Sequence, residues 1–319
     1  MAIDPDKIKL LYKVAKAYYE DNLTYNQIGK RFGFSRMTVS RLLDLAREER
    51  IVQIIIAPPS DLNIELERKL EAIYGLDEAV IITSPDDDYH PANRGALGSA
   101  AANYLLRCLQ GNEVISLAWG YTMLSVVDAL SHINQPEIKV VQATGGLGKL
   151  DSDAHAADLV RRAAQALGGK PYFIPAPGVV SSMSIRETLL ADAQISDALA
   201  LAEKSDIAIV GIGSPNSRSI VLDSGILTEE ELKQLQDSGA VGDIVLRFFD
   251  VNGQPVHHEI NERIIGLTLD HIKAIPCVIG VAGGALKFEV VRGALRNKLI
   301  NVLVTDDELA RRLLVDAEN

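Results

Sequence analysis

From Glu78 onward, strand-length apolar runs alternate with helix-length segments: EAVIIT, NEVISLAWG, KVVQATGG, DIAIVGIG, CVIGVAGG and NVLVTD. Each run falls far short of the roughly 20 apolar residues that cross a bilayer. Alternation of this kind requires a mainly parallel sheet covered by helices. Several runs end in Gly or Gly-Gly just before the next helix, and in open parallel sheets ligands lie outside the carboxyl ends of the strands, where such turns fall. The expected body is therefore α/β, with a ligand crevice along one edge of its sheet.

The first 56 residues follow a different pattern. Net charge over the whole chain is −11, but residues 1–56 carry ten Lys or Arg against seven Asp or Glu (+3), and the remainder 22 against 36 (−14). That asymmetry is what a small anion-seeking module joined to an acidic body shows. Ile8, Leu11, Tyr12, Ala15, Tyr18 and Tyr19 recur at helical spacing and predict one buried helix face. IVQIII reads as a strand stopped by APPSD, because proline removes a ladder donor. This places a domain boundary between 1–56 and 57–319. LNIELERKLEAIYGL puts Leu62, Leu66, Leu70 and Ile73 on one stripe ending at Gly75, a linker helix over about 61–74. SPDDDYHPAN reads as a long exposed loop. The N-terminus has no uninterrupted apolar segment of the signal-peptide type, so a cytoplasmic location is expected. Cys108 and Cys277, the only cysteines, sit in apolar patterns as reduced thiols, leaving no disulfide framework, metal cluster or cofactor to expect.

Within the basic module, LTYNQIGKRFGFSRMTVSRLLDLAREER contains a start signal, a turn and a second start signal. Thr24 and Gln27 form a capping box. Gly33 suits the left-handed turn, Ser35 suits an N-cap, and Gly29 allows close helix approach. Ile28, Phe32, Phe34, Val39 and Leu42 fall at the offsets of a helix-turn-helix core, and the expected domain is winged-helix-like. Projected at 100° per residue, the second helix turns Val39, Leu42, Leu43 and Ala46 inward and Met37, Ser40 and Arg41 outward, flanked by Arg36 and Thr38. Arg pairs with guanine, Ser or Thr bonds either base edge, and Met contacts a thymine methyl. Lys30 and Arg31 are placed for phosphates. The expected partner is a double-stranded DNA operator.

In the body, KVVQATGGLGKL resembles a phosphate loop at first sight, but a nucleotide P-loop needs G-x-x-x-x-G-K followed by Ser or Thr. Ala143 and Leu150 occupy the first-glycine and hydroxyl positions, so the nucleotide reading fails. The turn remains able to hold another anion through free amides. Thr144, Gly145, Gly146 and Gly148 form one such turn; Gly120, Gly213 and Gly284 mark others. Asp243 suits sugar hydroxyls, and Arg247 and Lys287 suit a phosphate. Several strand-end turns together point to a polar, anionic small molecule in one crevice.

The order of LTYNQIGKRFGFSRMTVSRLL, SLAWGYT, ATGGLG, IAIVGIGS, AVGDIVLRFFDVNG, GVAGGALK and NVLVTD resembles the SorC/DeoR-type bacterial transcriptional regulators across essentially the whole chain. The resemblance implies a helix-turn-helix followed by an effector domain resembling sugar-phosphate isomerases and aminosugar-phosphate deaminases. It also implies homodimers or homotetramers whose DNA binding responds to a phosphorylated sugar, and it carries ligand contacts to Gly120, Gly145, Gly146, Asp243 and Lys287. Some relatives have a lysine before the Gly-Gly able to attach to a sugar aldehyde; Thr144 stands there in this chain, so no Schiff base is expected. The alternative is an isomerase or deaminase. Proton transfer along a sugar needs a base; Asp243 is the one placed near the crevice, while His257 and His258 connect to nothing, so no catalytic residue is assigned.

Overall fold

The computed structural model describes residues 5–49, 51–52, 63–83, 91–146, 155–215 and 220–317. Their contacts divide the chain into Met1–Leu62 and Asn63–Asn319.

The first unit is three helices, α1 (Pro5–Tyr19), α2 (Tyr25–Phe32) and α3 (Arg36–Glu48). Capping decides where they start. The Thr24 hydroxyl accepts from the Gln27 amide while Gln27 returns a bond to the Thr24 amide, and the Ser35 hydroxyl accepts from the Thr38 amide. Gly33 ends α2 at φ 78°. A Cβ on Gly29 would lie 2.5 Å from the Phe34 carbonyl oxygen, so the tight turn between α2 and α3 requires glycine there. Leu11, Val14, Ile28, Val39, Leu43 and Ala46 are fully buried together, with Phe32, Phe34 and Leu42 packed around them. The face of α1 differs from expectation. Ile8, Tyr12 and Tyr19 are exposed, and Val14 and Ala17 are buried in their place. Apolar residues run most of the way round this helix, so periodicity admits two faces and contact with α3 selects the one carrying the smaller side chains. Of IVQIII, Ile51 and Val52 form a bend and the rest lies outside the described residues.

The second unit begins with α4 (Ile64–Tyr74), the expected linker helix. It belongs to the body: Glu67 and Glu71 accept the amides of Ile81 and Ala79, and the Tyr74 hydroxyl donates to the Leu313 carbonyl. Leu70 is buried and Leu66 and Tyr74 pack beside it, whereas Ile73 points outward. Leu62 lies outside the described residues. Then follow β1 (Glu78–Ile82), α5 (Pro91–Cys108), β2 (Val114–Leu117), α6 (Tyr121–Ala129), β3 (Lys139–Gln142), α7 (Ala156–Leu167), β4 (Lys170–Tyr172), α8 (Met183–Leu190), α9 (Ala193–Glu203) and β5 (Ile207–Gly211). Next come α10 (Ile220–Asp223), α11 (Glu229–Asp237), β6 (Gly242–Ile244), β7 (Arg247–Phe249), α12 (Glu259–Glu262), α13 (Leu269–Ala274), β8 (Cys277–Val281), a 3-10 turn at Ala285–Lys287, α14 (Phe288–Arg296), β9 (Val302–Asp306) and α15 (Asp307–Ala317). Of the SPDDDYHPAN loop, residues 84–90 lie outside the described residues, and Pro91 already starts α5.

Seven strands form one all-parallel sheet in the order β1-β9-β8-β5-β2-β3-β4. Every residue of β9, and all of β5 but its last, is buried, as strands covered on both faces must be. From β2 the chain winds outward through β3 and β4; from β5 it winds the other way through β8 and β9. Since β5 and β2 are neighbours, the winding reverses between them, and the carboxyl ends of that pair open the crevice where α/β sheets hold ligands. Between β5 and β8 the chain makes an excursion, the β6-β7 hairpin and α10–α12, with its own cluster of Leu232, Leu235, Leu246, Phe248, Ile260 and Ile264.

Candidate functional site

On the first unit, the outward face of α3 carries Arg36, Met37 and Arg41 exposed, with Met37 67 % accessible; Thr38 and Ser40 are half-buried. The Thr38 hydroxyl shares a 2.9 Å hydrogen bond with that of Ser35, which ties it to the cap. Lys30 is exposed on α2. Arg31 lies against Phe32 and pairs with Asp21 at 3.5 Å. Asp44, on the outer face, pairs with Arg47 and is neutralised locally.

At the switch point of the second unit, Gly120 follows β2 at φ 107° and is the N-cap of α6, which has no side-chain cap. Gly213 follows β5. Its amide donates to the Asp243 carbonyl (2.9 Å) and the Asp243 amide donates back to the Gly213 carbonyl (3.1 Å), so the two turns are laced side by side. A Cβ on Gly213 would fall 2.0 Å from Asp243 Oδ1; only glycine admits that carboxylate. Asp243 Oδ2 accepts the Leu246 amide (3.1 Å). This bond fixes the turn joining β6 to β7, whose two residues, Val245 and Leu246, both have positive φ (50° and 66°). A β-branched residue is strained there, and the burial of both side chains holds it in place.

Lys287 reaches in from the turn after β8, and its Nζ donates to the Ile212 carbonyl at 2.9 Å. Burial pushes this amine down, the nearby Asp243 carboxylate opposes the shift, and the charge of Arg94 adds to it. Burial likewise pushes the Asp243 carboxyl up to about 6, against the stabilising Leu246 amide and Lys287. The geometry thus brings together Gly213, Asp243 and Lys287, with Gly120 just beyond the end of the neighbouring strand β2.

The other expected contacts have different occupations. Arg247 is buried, and its guanidinium donates to the carbonyls of Leu267 (2.9 Å), Asn261 (2.7 Å), Gly266 (3.1 Å) and Ile264 (3.3 Å). Four main-chain acceptors consume its donors, so it clamps the 261–267 segment rather than facing a phosphate; burial draws it down to about 10. The amides of Gly145 and Gly146, expected free, donate to Ile265 and Ala176, and that of Gly284 to Asp306 Oδ2. These turns are stitched to neighbouring segments and shape the crevice by close approach: a Cβ on Gly145 would meet the Ala176 carbonyl oxygen at 2.5 Å. Thr144 is buried in a bridge to Gly266, with its hydroxyl lacking a partner. Gly148 and Lys149 lie outside the described residues. His258 caps α12.

Sequence reasoning passed over Asp306. It ends β9, fully buried, and accepts the Gly284 amide through Oδ2 and the Leu309 amide through Oδ1. The signal was present as the acid closing NVLVTD. No helix among the described residues is long and apolar enough to cross a membrane.

Residues 59–315 match the sugar-binding domain family and residues 13–49 match sigma-70 region 4. The chain is similar to the deoxyribonucleoside regulator of Bacillus subtilis, at 31 % identity over 98 % of this chain and 100 % of that one. It is also similar to the transcriptional regulator LsrR of Klebsiella pneumoniae, at 33 % identity over 96 % and 93 %. The crystal structure of the full-length sorbitol operon regulator SorC from Klebsiella pneumoniae superimposes with a TM-score of 0.74 at 32 % identity, covering 97 % of this chain and 99 % of that one. These relatives, matched from end to end, are regulators and not enzymes. The chain belongs to the SorC/DeoR-type family of transcriptional regulators, which join a DNA-binding helix-turn-helix to a sugar-binding domain.

Proposed function

We propose that the chain regulates a carbohydrate catabolic operon in the cytoplasm, and that a phosphorylated sugar at the β2/β5 switch point sets its affinity for DNA. Residues 1–56 read the operator through Arg36, Met37, Thr38, Ser40 and Arg41, with Lys30 and Arg31 on phosphates; residues 57–319 bind effector and assemble homo-oligomers. The observation that carries this reading is the buried Asp243, laced to the Gly213 turn at the end of β5, with the buried Lys287 bonded to the Ile212 carbonyl of the same turn. A buried acid and a buried amine at one strand-end turn give an acceptor for sugar hydroxyls and a polar wall, in the place where open α/β sheets bind ligands. Effector shifts the oligomer between arrangements of different DNA affinity only as far as it binds them unequally.

The test has two arms. Sugar phosphates should raise the thermal stability of the protein by mass action, and free sugars should do so less. The stabilising compound should alter retardation of the upstream DNA. Failure to bind that DNA at low salt, with or without sugar phosphates, removes the reading.

A further inference from the structure

The Asp243–Lys287 pair raises a question of charge. The pair is internally balanced, and Lys287 already donates to the Ile212 carbonyl. A phosphomonoester carries about −1.5 to −2 at pH 7, so a neutral pair leaves that charge unmatched.

Arg94 is a second cation near these strand ends. It lies near the start of α5, on the same edge of the sheet, because α5 follows the carboxyl end of β1. Its guanidinium is exposed and lies over the ring of Tyr121, 5.4 Å from the centroid. Tyr121 is the first residue of α6, directly after Gly120, and its ring is 44 % accessible. Among the described residues no carboxylate pairs with Arg94. It is near enough to Lys287 for its charge to bear on that amine. Arg94 beside Tyr121 and Lys287 at the Ile212 carbonyl thus place two cations near the same strand ends, of which Asp243 offsets only the inner one. The Tyr121 ring holds the outer one in place without neutralising it.

We propose that Arg94 is the specificity-determining residue that reads the phosphate of a phosphorylated sugar or polyol, while Asp243 reads its hydroxyls. The inference rests on the effector crevice assigned above. A guanidinium offers a planar fork to phosphate oxygens, so the contact is bidentate and geometrically demanding. The uncapped amino end of α6 adds partial positive charge on the same side. The charge of Lys287 then favours ionised Asp243 rather than serving as the main phosphate ligand.

The experiment is calorimetric titration of the full chain with ribose 5-phosphate, glucose 6-phosphate, glucosamine 6-phosphate, the three unphosphorylated sugars and inorganic phosphate. Wild type, Arg94→Gln and Arg94→Lys are compared. Arg94 is exposed, so neither variant disturbs the core, and unchanged thermal unfolding without ligand verifies this. Arg94→Gln is expected to weaken the phosphorylated ligands ~10- to 100-fold, as loss of a charge-assisted pair does, and free sugars less than ~2-fold. Arg94→Lys should recover only part of the loss. Binding of sugar phosphates by Arg94→Gln with wild-type affinity overturns the assignment of Arg94 and leaves the crevice standing. If wild type binds neither a sugar phosphate nor inorganic phosphate, the crevice reading itself falls and Arg94 with it.

Discussion

Arg247→Met separates a structural arginine from a ligand contact. The guanidinium donates to four main-chain carbonyls, three of them at 2.7–3.1 Å and the fourth at 3.3 Å. Methionine fills much of the volume but donates nothing, so the carbonyls of Asn261, Gly266 and Leu267 lose their partner. Hydrogen bonds to a charged group contribute ~1.5–3 kcal/mol each, but one side chain cannot deliver the simple sum. With several carbonyls left unsatisfied at ~1–3 kcal/mol each, the expected loss is ~3–5 kcal/mol after non-additivity, a large share of the ~5–15 kcal/mol that holds a domain together. Trp119, the only tryptophan in the chain, packs against the cluster containing Leu246, Phe248 and Ile264. Its fluorescence therefore follows this region in urea, independently of the DNA-reading unit. Arg247→Lys should be intermediate, since one ammonium reaches fewer of the four carbonyls. The reasoning is refuted if Arg247→Met unfolds within ~1 kcal/mol of wild type yet loses its response to sugar phosphates.

Asp243 carries a pH prediction. Its folded pKa of about 6 lies above the ordinary 3.8, so the folded state binds the proton more tightly. Its stabilising contribution is full below pH ~4 and is lost as pH rises through ~6. The stability difference between wild type and Asp243→Asn should accordingly move against wild type by on the order of 2–3 kcal/mol between pH 4 and 7, and urea melts at both ends would expose a flat difference. Gly213→Ala forces a methyl onto Asp243 Oδ1, 2.0 Å away; effector stabilisation should vanish while gel retardation persists. Met37→Ala and Arg41→Ala should each cost ~1–3 kcal/mol on the operator and little on random DNA, whereas Lys30→Ala should weaken both and lower the salt slope by about one. Equal losses on operator and random DNA for Met37→Ala would remove it from base recognition.

Six of the nine strands are legible as apolar runs closed by turns, and the other three show what such runs conceal. β4 is three residues with a proline in the middle, Lys170-Pro171-Tyr172, at the sheet edge where a missing donor is tolerated. The β6-β7 hairpin turns through Val245-Leu246 instead of the Asn-Gly or Asp-Gly such turns favour; the backbone accepts strain because both side chains are buried and the Asp243 carboxylate holds the Leu246 amide. The glycine turns stand at strand ends as their sequence implies, but whether their amides are free depends on Ala176 and Ile265, thirty and more residues away. Nothing local in ATGGLG announces those partners.

The hairpin also explains why Asp243 and Arg247, four residues apart, have such different tasks. Ile244, Val245 and Phe249 pack into the main core, and Leu246 and Phe248 into the cluster of the excursion, so the hairpin is the seam between them. Asp243 faces the switch point on one side of the seam. Arg247 holds the 261–267 segment, which in turn receives the Gly145 amide through Ile265 and bridges Thr144 through Gly266. The β2/β5 crevice and the β3 turn are therefore joined through a single short hairpin. The carboxylate proposed to meet the ligand also anchors the hairpin's strained turn through Oδ2 and the Leu246 amide. An effector that displaces the Leu246 amide from that oxygen would free the strained turn to relax, whereas one that uses Oδ1 alone leaves the seam intact.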